Sequence, residues 1–125
     1  MLFRSGDAPQ SLRDLSVSLN KVGDVARELG QLEEARSAYA ESLQIHRELK
    51  TLTGDAPQSL RDLSVSLNKV GNVARDLGQL EEARTAYGDA LDLVKRLRDV
   101  LTSDRELAPF EQALTARLQQ IDDVS

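Results

Sequence analysis

Seventeen consecutive residues, Asp7 through Gly23, recur letter for letter as Asp55 through Gly71, 48 positions later. Across residues 7–43 and 55–91 only six of 37 aligned positions differ: Asp24/Asn72, Glu28/Asp76, Ser37/Thr85, Ala40/Gly88, Glu41/Asp89 and Ser42/Ala90. Two near-copies that fill most of a 125-residue chain must fold alike locally, so the expected architecture is one supersecondary unit stacked on its duplicate. The units run 7–54 and 55–102, and a shorter segment, 103–123, follows them within a single domain.

Each unit carries two helical stripes separated by a glycine. Leu12, Leu15, Leu19, Val22, Ala26 and Leu29 alternate spacings of three and four, the signature of an apolar stripe on a helix, and Leu60, Leu63, Leu67, Val70, Ala74 and Leu77 repeat it. Beyond Gly30 and Gly78, suited to a helix C-terminus, a second stripe follows. It comprises Leu32, Ala35, Tyr39, Leu43, His46 and Leu49, matched by Leu80, Ala83, Tyr87, Leu91, Val94 and Leu97. Asp7 with Gln10 and Asp55 with Gln58 resemble capping boxes, with Pro9 and Pro57 in the first turn. Helices are predicted near 8–29, 31–53, 56–77 and 79–101. A fifth is expected after the capping-box string Ser103-Asp104-Arg105-Glu106, carrying Leu107, Phe110, Leu114, Leu118 and Ile121 inward. Glu111, Gln112, Arg117 and Gln120 would lie on its outer face, and Pro109 would either start or kink it.

Composition closes off most chemistry. Aromatic residues make up only 3%, so the core must be Leu, Val and Ala, which favours packed helices over sheets and makes the fold class all-α. Without any Cys there is neither a disulfide framework nor a thiolate metal site. The single His46 has no second His or acidic partner at ligand spacing and reads as a packing or interface residue. Glu33-Glu34 and Glu81-Glu82 are adjacent helix residues that point apart, and Ser11, Ser16 and Ser18 have no His in reach by motif. No catalytic residue, metal site or cofactor is expected. A formal charge of −5 argues against nucleic acid or an anionic membrane as partner. No run of roughly 18 apolar residues and no basic-then-apolar leader is present, so the expectation is a soluble, cytoplasmic protein.

The spacing of small and large residues resembles the tetratricopeptide repeat over most of residues 15–50 and 63–98. Gly23 and Gly71 match the small residue of the first helix, Ala35 and Ala83 that of the second, and Tyr39 and Tyr87 its bulky aromatic. Ala90 matches the last small position, which is Ser42 in the first unit. Leu19 and Leu67 replace an aromatic, Val22 and Val70 keep an apolar position, and Ala26 and Ala74 replace a tyrosine. Arg47 and Lys95 stand where the family usually has proline, and the 48-residue period exceeds the usual length of about 34. The excess is two heptads, which lengthens each helix by about two turns and leaves the stripe on nearly the same face. Long units with Leu-Asn-x-Val-Gly resemble kinesin-light-chain-like and bacterial long-repeat members.

That resemblance implies two extended helix–turn–helix repeats plus a C-terminal capping helix, a fragment of an α-solenoid. It also implies a non-enzymatic protein-interaction scaffold with a partner peptide in a groove lined by the first helices. Carried over position by position, the groove residues are Val17, Asn20, Asp24, Arg27 and Glu28, then Val65, Asn68, Asn72, Arg75 and Asp76. Asn20 and Asn68 each offer a donor and an acceptor to an extended backbone. Asp24 argues against a terminal carboxylate as the ligand, although Asn72, Lys69 and Lys21 echo such a clamp.

Near-identity also creates a problem at the open end. If the helix at 56–77 packs on the one before it, the helix at 8–29 presents the same apolar face with no preceding unit to cover it. The alternative expectation is therefore a self-assembling structural element, a homodimer or helix-swapped oligomer. Such identity equally fits a designed or consensus repeat.

Overall fold

The computed structural model describes residues 8–100 and 107–124. They form five helices and, among the described residues, no strand: α1 (Ala8–Glu28), α2 (Leu32–Thr53), α3 (Pro57–Asp76), α4 (Leu80–Val100) and α5 (Leu107–Val124). The four helices of the two units end within a residue or so of the spans predicted from periodicity and glycine placement.

The turns between paired helices follow from the backbone. Gly30 and Gly78 both sit at φ 77°, a left-handed conformation that glycine adopts without Cβ strain. The Gly30 N–H donates to Arg27 O at 3.0 Å and the Gln31 N–H to Ala26 O at 2.8 Å, and Gly78 and Gln79 repeat both bonds onto Arg75 and Ala74. This double closure satisfies carbonyls that the helix end would otherwise leave bare. At the start of α2 no side chain caps the helix, but Glu33 and Glu34 lie in its first turn, where carboxylates are favoured by the helix dipole.

The capping box expected at Asp55 and Gln58 does not form. Ala56 is the N-cap residue and makes no side-chain cap, with Pro57 behind it. Asp55 instead lies 3.0 Å from Lys50 Nζ and 4.0 Å from Arg96, and Gln58 Nε2 donates to Asp62 Oδ1 at 2.7 Å. Two cations compete successfully for a carboxylate that a neutral amide would otherwise bind. The corresponding Asp7 and the string Ser103–Glu106 lie outside the described residues. At α5, Pro109 falls in the first turn, where its missing N–H breaks no helical bond.

Each helix packs on the next in chain order, and long polar side chains tie alternate helices together. Between α1 and α3, Arg27 Nε donates to Asp76 Oδ2 at 2.6 Å, Lys69 Nζ to Asp24 Oδ1 at 2.8 Å, and Arg13 lies 3.7 Å from Asp62. Arg36 of α2 donates to Glu82 of α4 at 3.2 Å, and Arg117 of α5 to Asn68 of α3 at 2.9 Å. The result is two layers, α1, α3 and α5 in one and α2 and α4 in the other.

Within each unit the helices close on a glycine–tyrosine contact. A methyl group at Gly71 would come within 2.6 Å of the Tyr87 ring, and one at Gly23 would overlap Tyr39 in the same way. Tyr87, Ala90, Val94 and Leu97 of α4 join Leu60, Leu63 and Leu67 of α3 and Leu107, Leu114 and Ile121 of α5 in the main core. A smaller cluster of Ala26, Ala35, Tyr39 and Val73 spans the junction between units.

The first-helix stripe turns out to be two faces. Ser16, Gly23 and Ala26 of α1 are buried within their own unit, whereas Leu15, Ser18, Val22, Val25 and Leu29 are exposed. In α3 the equivalents Leu63, Ser66 and Val73 are buried and Val70 and Leu77 half-buried, because α2 lies over them. Leu15 is 48% exposed against 7% for Leu63, and Val25 56% against 0% for Val73.

Candidate functional site

Two polar stations lie in the α1–α3–α5 layer, one per unit, each centred on a tyrosine hydroxyl. At the first, Tyr39 Oη donates to Asp24 Oδ1 at 2.5 Å, and Lys69 reaches the same oxygen while its ammonium sits 5.6 Å from the Tyr39 ring centre. At the second, Tyr87 Oη donates to Asn72 Oδ1 at 2.6 Å, and Arg117 lies 6.0 Å from the Tyr87 ring centre while donating to Asn68. A cation over an aromatic face gains from the ring quadrupole.

Charge separates the two stations. Burial alone would raise the Asp24 carboxyl pKa, but hydrogen bonds from Lys69 and Tyr39, with the positive charges of Lys69 and Arg27, outweigh it and hold the group below its ordinary value. Burial raises the Tyr39 hydroxyl, and its bond to Asp24 raises it further. Burial also raises Tyr87, but there Arg75 and Arg117 pull the other way. Arg27 is held protonated by its hydrogen bond to Asp76. The first station is therefore a set of compensated pairs. The second has Arg75 and Arg117 beside neutral amides, and Arg75 makes no hydrogen bond or ion pair among the described residues.

The structure brings the groove residues of the sequence reading into this one layer. Asp24, Arg27, Glu28 and Asp76 border a hollow of about 450 Å³ together with Tyr39 and Lys69. Val65 and Asn68 line a smaller one of about 220 Å³ with Leu107 and Phe110 of α5. Val17 and Val65 are exposed. The Asn20 Oδ1 is shielded from solvent without a hydrogen-bond partner, because Lys69 is engaged by Asp24, whereas the equivalent Asn68 receives Arg117. A different hollow, of about 540 Å³, lies in the opposite layer between α2 and α4, with Gln44, Arg47, Glu82 and Asp89 on its walls.

Arg117 and Glu111 do not lie on an outer polar face as expected. Arg117 turns inward to Asn68 and Tyr87, and Glu111, 17% exposed, receives Arg98 Nη1 at 2.6 Å. The signal was present in the chain: Lys21-Val22-x-x-Val25, Lys69-Val70-x-x-Val73 and Arg117-Leu118-x-x-Ile121 are spaced by the same 48 residues. At these positions α5 is a third first-helix.

No group of three or more His, Asp or Glu that could hold a metal exists among the described residues, and His46 is buried with its Nδ1 unpartnered. No helix among the described residues is long and apolar enough to cross a membrane.

Antiparallel helix pairs joined by a glycine turn, packed through a Gly–Tyr contact and stacked in two layers, define an all-helical repeat protein. The tetratricopeptide repeat family model matches residues 14–96, and the chain belongs to that family. No curated protein and no solved structure matches it. Tetratricopeptide repeats are, in general, non-catalytic modules that bind other proteins.

Proposed function

We propose that this chain is a non-enzymatic scaffold that holds an extended peptide of a partner protein along the α1–α3–α5 layer. The contact residues are Val17, Asn20, Asp24 and Arg27 at one station and Val65, Asn68, Asn72 and Arg75 at the other. The observation that carries the reading is the repetition of one arrangement, an exposed valine, an amide and a tyrosine-backed polar pair, at both stations. A peptide of extended backbone lying along the layer meets this arrangement twice in register, which gives grip independent of its side chains.

The unequal charge of the stations adds direction. Compensated pairs at the first tolerate a neutral segment, while the unpaired Arg75 with Arg117 favours an acidic side chain at the second. The test is a display selection of random peptides on the intact protein, followed by calorimetry on the winners. Asn20→Ala with Asn68→Ala should weaken binding by about tenfold, each amide bond contributing about 0.5–1.5 kcal/mol, and Asn20→Ala alone, whose Oδ1 has no partner in the protein, should weaken it while the melting temperature holds. Binding that survives this pair but is lost on Gln44→Ala with Asp89→Ala would move the site to the opposite layer.

A further inference from the structure

We propose that the bare face of α1 is a docking surface for the α3–α4 end of a second copy of this chain, with α1 taking the seat that α5 occupies on α4. The copies would then run head to tail. The contact shares Arg75 and Asn72 with the peptide groove, and Val25→Glu, which lies outside the groove, separates the two readings.

The complement of the bare face is visible within the molecule. Leu63, Ser66, Val70 and Val73 of α3 are covered by α2, whose Leu32, Ala35 and Tyr39 meet Val70 and Val73. Leu15, Ser18, Val22 and Val25 repeat the covered residues on α1, and Leu80, Ala83 and Tyr87 repeat the covering residues on α4. Placing α4 of one copy before α1 of another therefore reproduces an interface that the protein already makes.

The polar bridges across the existing junction carry over with the repeat. Arg13–Asp62, Asp24–Lys69, Arg27–Asp76 and Arg36–Glu82 tie the first unit to the second. Stepping each pair back by 48 residues asks for an acid at 14, a base at 21 and acids at 28 and 34, and the chain has Asp14, Lys21, Glu28 and Glu34 there. Facing Asp14, Glu28 and Glu34 in the second copy would be Arg61, Arg75 and Arg84, the last exchanging Asp122 for its new partner, while the neutral Asn72 replaces the acid opposite Lys21. Arg75, Glu28, Glu34 and Lys21 form no hydrogen bond or ion pair among the described residues, so Arg75 of one copy and Glu28 of the next are a ready pair. A two-fold contact of α1 on α1 would use none of these second-unit residues.

On its own α4, α5 holds the same ground. Arg117 takes the position of Lys69, Ile121 that of Val73, and Asp122 lies 3.0 Å from Arg84. As a tethered helix it competes at an effective concentration of the order of millimolar, so it limits assembly rather than being passive. Because the contact is heterologous and each copy keeps one free end, association continues beyond the dimer.

Sedimentation velocity of the full chain over a concentration series tests this. Species should grow past dimer as concentration rises, and Val25→Glu, on an exposed site, should abolish growth. Leu114→Glu, which loosens α5 from α4, should bring the onset to a concentration at least about tenfold lower, and adding Val25→Glu to it should restore a monomer, separating docking from misfolding. Glu28→Arg should weaken association, and Arg75→Glu in the same chain should recover it. Growth that stops at a dimer, a Leu114→Glu chain that stays monomeric at millimolar concentration, or failure of the charge reversal to rescue overturns the proposal.

Discussion

Helices α1 and α3 share their residues from Leu12/Leu60 to Gly23/Gly71 without a difference, yet they live in different surroundings. Leu63 and Val73 are core residues of α3, while Leu15 and Val25 of α1 face solvent. Both helices bury the face that meets their own unit, through Ser16 and Ser64, Gly23 and Gly71, Ala26 and Ala74. Only the second face differs, and it differs because α2 precedes α3 and no described helix precedes α1. Burial in a stacked array is thus a property of position as well as of residue type. The same residues can be core or docking surface.

This comparison can be broken by matched substitutions. Leu63→Ala should destabilise by about 2–5 kcal/mol, as large-to-small core changes do, whereas Leu15→Ala should cost no more than about 0.5 kcal/mol. Urea unfolding of the two variants in dilute solution decides it, and equal losses would mean that the faces are equally covered. Gly23→Ala and Gly71→Ala are the control in which the units should agree. Each methyl meets a tyrosine ring and should cost about 1–3 kcal/mol by overpacking, read as a fall in denaturation midpoint.

His46, opposite Val94 in the alignment, gives a third contrast. Burial lowers its pKa below the ordinary 6.5, Asp62 opposes this and Arg13 adds to it. The unfolded chain therefore binds a proton that the folded chain refuses as pH falls through 6.5, so stability present above that pH is lost on acidification. His46→Val should hold its melting temperature below pH 6.5 where the parent loses it, and thermal scans across that range are the check. A small effect is expected at the stations. Asp24→Asn removes the charge from a pair with Lys69 that is 25% and 45% exposed, so it should cost only about 0.2–1 kcal/mol and shrink further in salt.

Much of this architecture was legible in the chain. Periodicity and the two glycines located α1 to α4, because a left-handed turn residue and an apolar stripe are local signals. Two things were not local. The stripe on α1 could not be divided into its buried and bare faces without knowing where α2 crosses, and Asp55 was drawn from its cap by Lys50 and Arg96, residues set near it only by folding. The sequence also placed Tyr39 and Tyr87 as bulk alone, since nothing in their spacing announces that the hydroxyls reach Asp24 and Asn72. Arg117 was legible as the third step of the 48-residue period, but the change of helix composition in α5 hid it.

Because the chain has no cysteine, a single thiol reports cleanly on either face. Val25→Cys and Val73→Cys occupy the same place in the repeat, and their native-state labelling rates measure the asymmetry directly. In dilute solution the thiol at position 25 should react at a rate near that of a free thiol, and the one at 73 only through unfolding. Equal rates at the two positions would contradict the account.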